Sequence, residues 1–134
     1  MSVCAKIARR RRQPLNSSVM PSMEDLSACR EIWVEAPNGS SLCALINGNL
    51  GLLMFVRAPG DSGFSSRNPA YDGAPNATIS YVLSNGQVDS YPASWALPVA
   101  TVEQALFFFR RHARPPTYIT WHNDANDGSS IPRA

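Results

Sequence analysis

The sequence Leu50-Gly51-Leu52-Leu53-Met54-Phe55-Val56 is the longest apolar run in this chain of 134 residues. Its apolar residues do not alternate with polar ones, which is typical of a strand covered on both faces. A helix that spans a membrane needs about 20 apolar residues, so this run is too short to cross a bilayer. Residues 50–56 therefore predict a strand at the centre of a sheet.

Further strands and a brief helix are predicted on either side of this run. Apolar residues alternate with others over residues 31–36, ahead of a Pro-Asn-Gly turn, which predicts a strand. Ser40 can cap a short helix that ends at Ile46, before Asn-Gly. Alternation over residues 118–123 predicts the last strand.

A β-hairpin is predicted around Asn85-Gly86, because both turn residues tolerate positive φ. A two-residue loop would pair Leu83 with Val88 and Tyr81 with Ser90. The expected core-facing residues are then Ile79, Tyr81, Leu83 and Val88. The expected partly wet face carries Ser80, Ser84, Gln87, Asp89 and Tyr91.

A longer amphipathic helix is predicted from Thr101 to about His112. Thr101 and Gln104 form a capping-box pattern, and the apolar residues that follow recur at i, i+3, i+4 and i+7. Phe107 and Phe108 lie away from this apolar stripe. The predicted core between sheet and helix consists of Ile79, Tyr81, Leu83, Val88, Leu106, Phe109, Ile119 and Trp121.

Together these elements predict an α+β fold: a mixed or antiparallel sheet with a central hairpin, covered on one face by one main helix. Residues 31–124 form the predicted domain. Residues 1–30 are predicted to be a mobile basic leader, because an arginine run followed by polar residues cannot bury enough surface to offset the entropy of ordering. Residues 125–134 are predicted to be a frayed tail.

Charge and cysteine usage narrow the class of protein. Residues 1–30 carry six basic and two acidic side chains, whereas residues 31–134 carry six and eight, so the predicted domain is mildly acidic. The three cysteines lack metal-ligand spacing and are expected to be reduced, with Cys43 buried. No apolar stretch of a secretory signal follows the arginines, which favours a cytoplasmic location.

The sequence offers one apparent catalytic motif, Gly60-Asp61-Ser62-Gly63. It matches the segment around the nucleophile of chymotrypsin-like serine proteases. Those enzymes are longer double β-barrels whose histidine and aspartate precede the serine, whereas His112 and His122 follow Ser62 here. A tight turn in which Asp61 and Ser62 bond to the backbone is the preferred interpretation. We expect no catalytic residues, cofactor or metal.

A twenty-residue segment, Ala58 to Ala77, is predicted to be a long ordered loop. It contains three glycines and three prolines with almost no branched apolar residues, and loops of that length in compact domains are often functional. Aromatic and arginine side chains dominate binding hot spots. Phe64, Arg67 and Tyr71 are therefore candidates for contact with a partner.

Most of the chain resembles the deaminase-associated immunity proteins of bacterial polymorphic toxin systems, notably the actinobacterial members. The resemblance extends over roughly residues 31–124. It is carried by Leu53-Met54-Phe55-Val56-Arg57, Pro59-Gly60-Asp61-Ser62-Gly63-Phe64-Ser65-Ser66-Arg67, Tyr71-Asp72-Gly73, Tyr81-Val82-Leu83, Asn85-Gly86-Gln87-Val88, Tyr91-Pro92-Ala93, Trp95-Ala96-Leu97-Pro98 and Ile119-Thr120-Trp121-His122.

This resemblance implies an α+β protein that is encoded beside a toxin and neutralises it inside the producing cell. The usual toxin partner is a zinc-dependent nucleic-acid deaminase, whose active site or nucleic-acid channel a bound protein can block. Neither a membrane nor nucleic acid is an expected partner. The predicted toxin-binding residues are Asp61, Phe64, Arg67, Tyr71 and Asp72, with Phe108 as a secondary candidate. If those residues do not bind the toxin, the alternative interface is the hairpin face around Gln87, Asp89 and Tyr91.

Two other hypotheses remain open from the sequence. One is a small nucleic-acid-binding or regulatory domain that uses the basic leader, whose binding would depend on salt. The other is a hydrolase with Ser62 as its nucleophile, which the position of the histidines disfavours.

Overall fold

The computed structural model describes residues 28–131, in which the chain forms an antiparallel sheet with one α-helix. The predicted α+β class is confirmed. The elements in chain order are β1 (Cys29–Glu35), β2 (Ser41–Asn47), β3 (Leu50–Val56), β4 (Phe64–Arg67), β5 (Thr78–Val82), β6 (Val88–Pro92), a 3-10 turn (Ala93–Trp95), β7 (Leu97–Pro98), α1 (Val99–His112) and β8 (Thr120–Asn123). Most of the predicted leader and the last three residues of the predicted tail lie outside the described residues. The helix α1 is too short to cross a bilayer.

Strand β3 lies at the centre of the main sheet, as the apolar run predicts. The strand order is β1-β2-β3-β4-β8, and β7 pairs with the start of β3. β2 pairs with the whole of β3 from Ser41 opposite Val56 to Asn47 opposite Leu50, whereas β4 pairs only with its end. Every residue of β3 after Leu50 is buried.

The main sheet is covered on both faces, which gives the domain two cores. On one face, α1 packs Val102, Ala105, Leu106 and Phe109 against alternate residues of the sheet, as the apolar stripe predicts. On the other face, Cys43, Leu52 and Met54 pack against the β5–β6 hairpin. Of the predicted core, Leu106, Phe109 and Ile119 are buried beside the helix, and Tyr81 and Leu83 are buried in the second core. Ile79, Val88 and Trp121 are only partly buried.

The predicted helix over residues 40–46 is wrong, because these residues form β2. Leu42 to Ile46 are all fully buried between β1 and β3, so both faces of this strand need apolar side chains. The turn that follows places Gly48 at φ +65°, which closes the tight β2–β3 connection. A short apolar run without alternation cannot be assigned to helix or strand from its own pattern.

The hairpin forms where Asn85-Gly86 predicts it, but with a three-residue loop. The Leu83 N–H donates to the Gln87 carbonyl at 2.8 Å, and Gly86 takes φ +87°. Val88 therefore lies opposite Val82 rather than Leu83. This shift by one residue turns every side chain of β6 over.

Two consequences of this register correct the predicted hairpin faces. Asp89 and Tyr91, predicted to be partly wet, are 1% and 2% exposed, while Val88 is half-buried. The hairpin also forms a separate two-stranded sheet that lies across the main sheet from α1. It covers a face instead of extending the sheet.

The helix α1 begins at Val99, two residues before the predicted start. Pro98 is the N-cap residue and no side chain caps the helix, so the Thr101–Gln104 capping box does not form. The helix ends at His112, as predicted. Ala113 follows in the left-handed conformation at φ +60° and donates its N–H to the Phe109 carbonyl.

Candidate functional site

The segment 58–77 is a structural part of the sheet as well as a surface connection. Its residues 64–67 form β4, which pairs with β3 and β8. Phe64 is 3% exposed, and its ring centroid lies 6.1 Å from that of Phe55. The expectation that Phe64 faces a partner is therefore wrong, because its side chain fills the core beside α1. The strand Phe-Ser-Ser-Arg lacks the branched apolar residues that indicate strands in a sequence.

Ser66 of β4 satisfies backbone groups that the sheet leaves open. The Ser66 hydroxyl accepts a hydrogen bond from the Leu53 N–H at 3.0 Å and donates to the Trp95 carbonyl at 2.9 Å. Both Ser65 and Ser66 are buried. The Ser66 hydroxyl thus supplies the hydrogen-bond partner of the Leu53 N–H, beside the short stretch over which β3 and β4 pair.

Asp61 stabilises the turn that leads into β4. Its carboxylate accepts hydrogen bonds from the Arg57 backbone N–H at 3.0 Å and from the Arg57 guanidinium at 2.8 and 2.9 Å. This guanidinium holds the pKa of Asp61 below its usual range. Arg57 also pairs with Asp127 at 3.0 Å and bonds to Ser129, so the same side chain tethers residues beyond β8.

The remaining candidate contact residues of this segment, Arg67, Tyr71 and Asp72, differ in their exposure to solvent. The Arg67 guanidinium stacks 3.9 Å above the ring centroid of Trp95 and lies 4.0 Å from Asp124. The Tyr71 hydroxyl donates to the Ala74 carbonyl at 2.6 Å, which closes the outer end of the loop. Asp72 is exposed beside it. Asp72 is thus the most exposed of these three residues, and Tyr71 and Arg67 are partly buried.

Phe108 lies on a different surface, which we call the aromatic groove. This open groove of about 490 Å³ is lined by Gln104, Phe107, Phe108, Arg111, His112 and Tyr118. Its origin is the helical period: α1 turns its apolar stripe inwards, and Phe107 and Phe108 point to the outer side. Pro115 and Pro116, both buried, then bring the chain back so that Tyr118 forms the far wall.

Aromatic and cationic side chains contact one another throughout this groove. The Phe108 ring centroid lies 4.4 Å from that of His112 and 6.2 Å from that of Tyr118, which meets it edge-on. Arg111 stands 5.4 Å above the Phe107 ring, and Arg114 stands 5.2 Å above the Phe108 ring. Partial burial raises the pKa of the Tyr118 hydroxyl above its ordinary value.

A second depression of about 380 Å³ adjoins the aromatic groove at His112. It is lined by Asn38, Ser40, Phe55, Arg57, His112, Ala113 and Arg114. The Asn38 amide donates to the Ala113 carbonyl at 3.2 Å, which ties the β1–β2 turn to the end of α1. The two depressions give the C-terminal end of the helix a continuous, basic and partly apolar surface.

This arrangement is suited to binding rather than to the chemistry of a metal centre. Residues 28–131 contain no group of three histidine, cysteine or acidic side chains placed to hold a metal ion. His122 lies 3.0 Å from the Asp124 carboxylate, whereas His112 stacks on Phe108 in the groove. The sequence pattern identifies Phe108 here, through its position off the helix stripe. It gives no signal for Tyr118, which lines the groove, or for Arg114, which lies over the Phe108 ring, because both follow the turn after α1.

The family model described as "Immunity protein Imm1" matches residues 4–123 of this chain. The match covers most of the sequence and includes every strand and the helix described above. No curated protein and no solved structure matches the chain.

Proposed function

The chain belongs to the Imm1 family of immunity proteins, and we propose that it binds and neutralises a cognate secreted toxin of a polymorphic toxin system. The family match over residues 4–123 carries this proposal, because it spans the whole described fold. Membership of an immunity family indicates a binding protein rather than an enzyme. We place the protein in the cytoplasm of the producing cell, where an unneutralised toxin would act.

The proposed toxin is a zinc-dependent nucleic-acid deaminase, the usual partner of the immunity proteins that the sequence resembles. Such an enzyme must admit a base to a pocket that holds a zinc-activated water. A protein bound over the pocket or over the nucleic-acid channel excludes the substrate without any reaction of its own. Residues 28–131 carry six arginines and eight acidic residues, a net charge of −2 that suits a partner which attracts phosphates.

The exposed end of the segment 58–77 supports part of the predicted contact surface. Asp72 is exposed and Tyr71 and Arg67 are partly buried, and all three remain in the proposed toxin interface. Phe64 does not, because it belongs to the core. The Asp61 carboxylate is held by Arg57 in the turn before β4.

Co-expression of this chain with the toxin domain encoded by its neighbouring reading frame tests the proposal. We expect the full chain to protect a bacterial host from that toxin domain and to co-purify with it. A deaminase assay on single-stranded nucleic acid should then show inhibition that is complete at a one-to-one ratio. Continued killing despite soluble expression of the chain would refute toxin neutralisation. Protection against a toxin without deaminase activity would refute only the proposed class of toxin.

A small nucleic-acid-binding domain is the second candidate function. Arginines stacked on exposed aromatic rings, as in the aromatic groove, also occur where proteins bind single-stranded nucleic acid. This function predicts binding to a labelled single-stranded oligonucleotide at low salt that weakens steeply as salt rises and is lost when residues 1–20 are deleted. Absence of binding at low salt removes this candidate.

A further inference from the structure

The described residues expose only three large hydrophobic side chains, and two of them meet in the aromatic groove. Phe107 is 56% exposed and Tyr118 is 57% exposed, whereas Leu50 at 36% lies elsewhere on the sheet. Exposed aromatic residues that cluster next to polar groups mark interaction sites more often than isolated ones do. Phe107 takes no part in the packing of α1 on the sheet, because the buried residues of the helix are Val102, Ala105, Leu106 and Phe109.

Arg111 lines the groove and Arg114 lies over the Phe108 ring, and both differ from three of the other four arginines among residues 28–131. Arg30, Arg57 and Arg67 each have a carboxylate within 4.0 Å. Among residues 28–131, no carboxylate lies within that distance of Arg111 or Arg114, whose guanidinium groups rest on aromatic rings. Cations near the end of a helix favour its dipole, but that effect does not require them to line a groove with aromatic walls. These two guanidinium groups therefore keep their hydrogen-bonding capacity for carboxylates of another molecule.

We propose that the aromatic groove docks an acidic segment on the surface of the toxin. Carboxylates of that segment pair with Arg111 and Arg114. An apolar side chain next to those carboxylates packs between Phe107 and Tyr118. This inference rests on the proposed function and names the chemistry of its partner: aromatic anchors beside arginines are the composition of binding hot spots, and an acidic partner complements their charge.

Charge complementarity favours this occupant over three others. The first thirty residues of the chain carry six basic and two acidic side chains, so they do not complement a basic groove. Two copies joined groove to groove would bring their arginines together around the symmetry axis. Nucleic acid would gain little here, because two guanidinium groups neutralise only two phosphates in a domain of net charge −2.

The experiment compares charge reversal inside the groove with charge reversal beside it. Arg111→Glu/Arg114→Glu reverses the charge of Arg111, which lines the groove, and of Arg114, which lies over the Phe108 ring. Arg110→Glu makes the same kind of change at an exposed position of α1 that does not line the groove. Affinity of each full-length protein for the inactivated toxin domain is measured by titration calorimetry at two salt concentrations. We expect the double variant to lose at least about thirtyfold in affinity, and Arg110→Glu to stay within about threefold of the original protein.

A second pair of variants tests the aromatic walls. Phe107→Ala removes an exposed ring from the groove, and Leu50→Ala removes an exposed apolar side chain beside the opposite end of α1, where Leu50 pairs with the N-cap residue Pro98. We expect Phe107→Ala to lose about tenfold in affinity for the toxin domain, while Leu50→Ala binds like the original protein. Thermal unfolding of each variant shows whether any loss of affinity comes from loss of the fold.

The outcomes separate this inference from the proposed function. If the original chain does not bind the toxin domain, both fail. If the original chain binds and all groove variants bind equally well, the groove is not the docking site although the proposed function stands. Loss of oligonucleotide binding in Arg111→Glu/Arg114→Glu with unchanged toxin binding would assign the groove to nucleic acid. Loss of self-association in the same variant, measured by light scattering, would assign it to a second copy, and either result overturns the inference.

Discussion

Gly63, in the turn before β4, is the position at which a single methyl group should do most damage. It takes φ +69°, a conformation that side chains rarely adopt. A Cβ atom added there would overlap the carbonyl oxygen of Phe55 on β3. Gly60, three residues earlier, takes φ +87° but has no atom within 4 Å of such a Cβ. Alanine at either position would have the same backbone strain, but only alanine at position 63 would also collide with Phe55.

The expected loss of stability follows from these two terms. An alanine forced into the left-handed conformation costs about 1–2 kcal/mol, and this applies to both Gly60→Ala and Gly63→Ala. Gly63→Ala must also displace the backbone of Phe55, which pairs with Phe64, and overpacking of this kind costs about 1–3 kcal/mol more. We therefore expect Gly63→Ala to lower the free energy of unfolding by about 3 kcal/mol, against about 1 kcal/mol for Gly60→Ala.

Urea unfolding of the full chain, followed by tryptophan fluorescence, measures both values. The difference between the two variants isolates the contact with Phe55 from the strain that they share. If Gly63→Ala is destabilised no more than Gly60→Ala, the turn relaxes freely and the close approach of β3 to this turn does not constrain the sheet. That result would refute the reasoning from geometry.

Three further predictions concern the cores and the Asp61 turn. Phe109→Ala should lower the free energy of unfolding by about 3–5 kcal/mol, and Phe107→Ala on the same helix by less than about 1 kcal/mol, because only Phe109 is buried. Since pairing lowers the folded-state pKa of Asp61, its stabilisation is present above about pH 4 and is lost as pH falls through the folded value. Asp61→Asn should therefore lose less stability on acidification than the original protein, as measured by urea midpoints between pH 6 and pH 3. Ser66→Ala should lower the free energy of unfolding by about 1–3 kcal/mol, because it removes a hydroxyl that bonds to two backbone groups. Tyr81→Phe should leave the free energy of unfolding unchanged, because the buried Tyr81 hydroxyl has no hydrogen-bond partner among residues 28–131. Equal losses of stability in the two variants would contradict this reasoning.

The elements that the sequence predicts correctly are those in which the spacing of apolar residues shows which faces are buried. Residues 50–56 lack alternation because both of their faces are covered, and they lie in the centre of the sheet. The buried face of α1 follows the i, i+3, i+4, i+7 spacing up to Phe109. In both places the local pattern and the tertiary environment impose the same requirement.

In other places the secondary structure and the strand register depend on tertiary contacts, and the local sequence pattern does not show them. Residues 41–47 form a strand because two neighbours hydrogen-bond to them, which their own apolar run does not show. The hairpin loop has three residues rather than two, and this single difference buries Asp89 and Tyr91. Register depends on the geometry of one turn, which Asn-Gly alone does not specify.

The candidate site was harder to predict than the fold for a related reason. Residue type indicates which side chains can form a hot spot, but burial decides which of them face outwards. Phe64 and Phe107 are chemically identical, yet one fills the core and the other is 56% exposed. The aromatic groove brings residues of α1 together with Tyr118 across the turn at Pro115, a juxtaposition that sequence spacing does not reveal.

The two-sided core also constrains where this immunity protein can bind. α1 covers one face of the main sheet and the hairpin covers the other, so neither face of the sheet is open to a partner. The outer side of α1 is one of the surfaces that stay accessible, and its rings are already held against one another and under arginines in the free protein. A groove that is formed before binding spends little free energy on ordering side chains, which favours tight association with a rigid toxin domain. We therefore expect the backbone of residues 104–118 to differ by less than about 1 Å between the free protein and its toxin complex. A larger rearrangement of the helix end would show that the groove forms on binding, and its shape in the free protein would then not explain recognition.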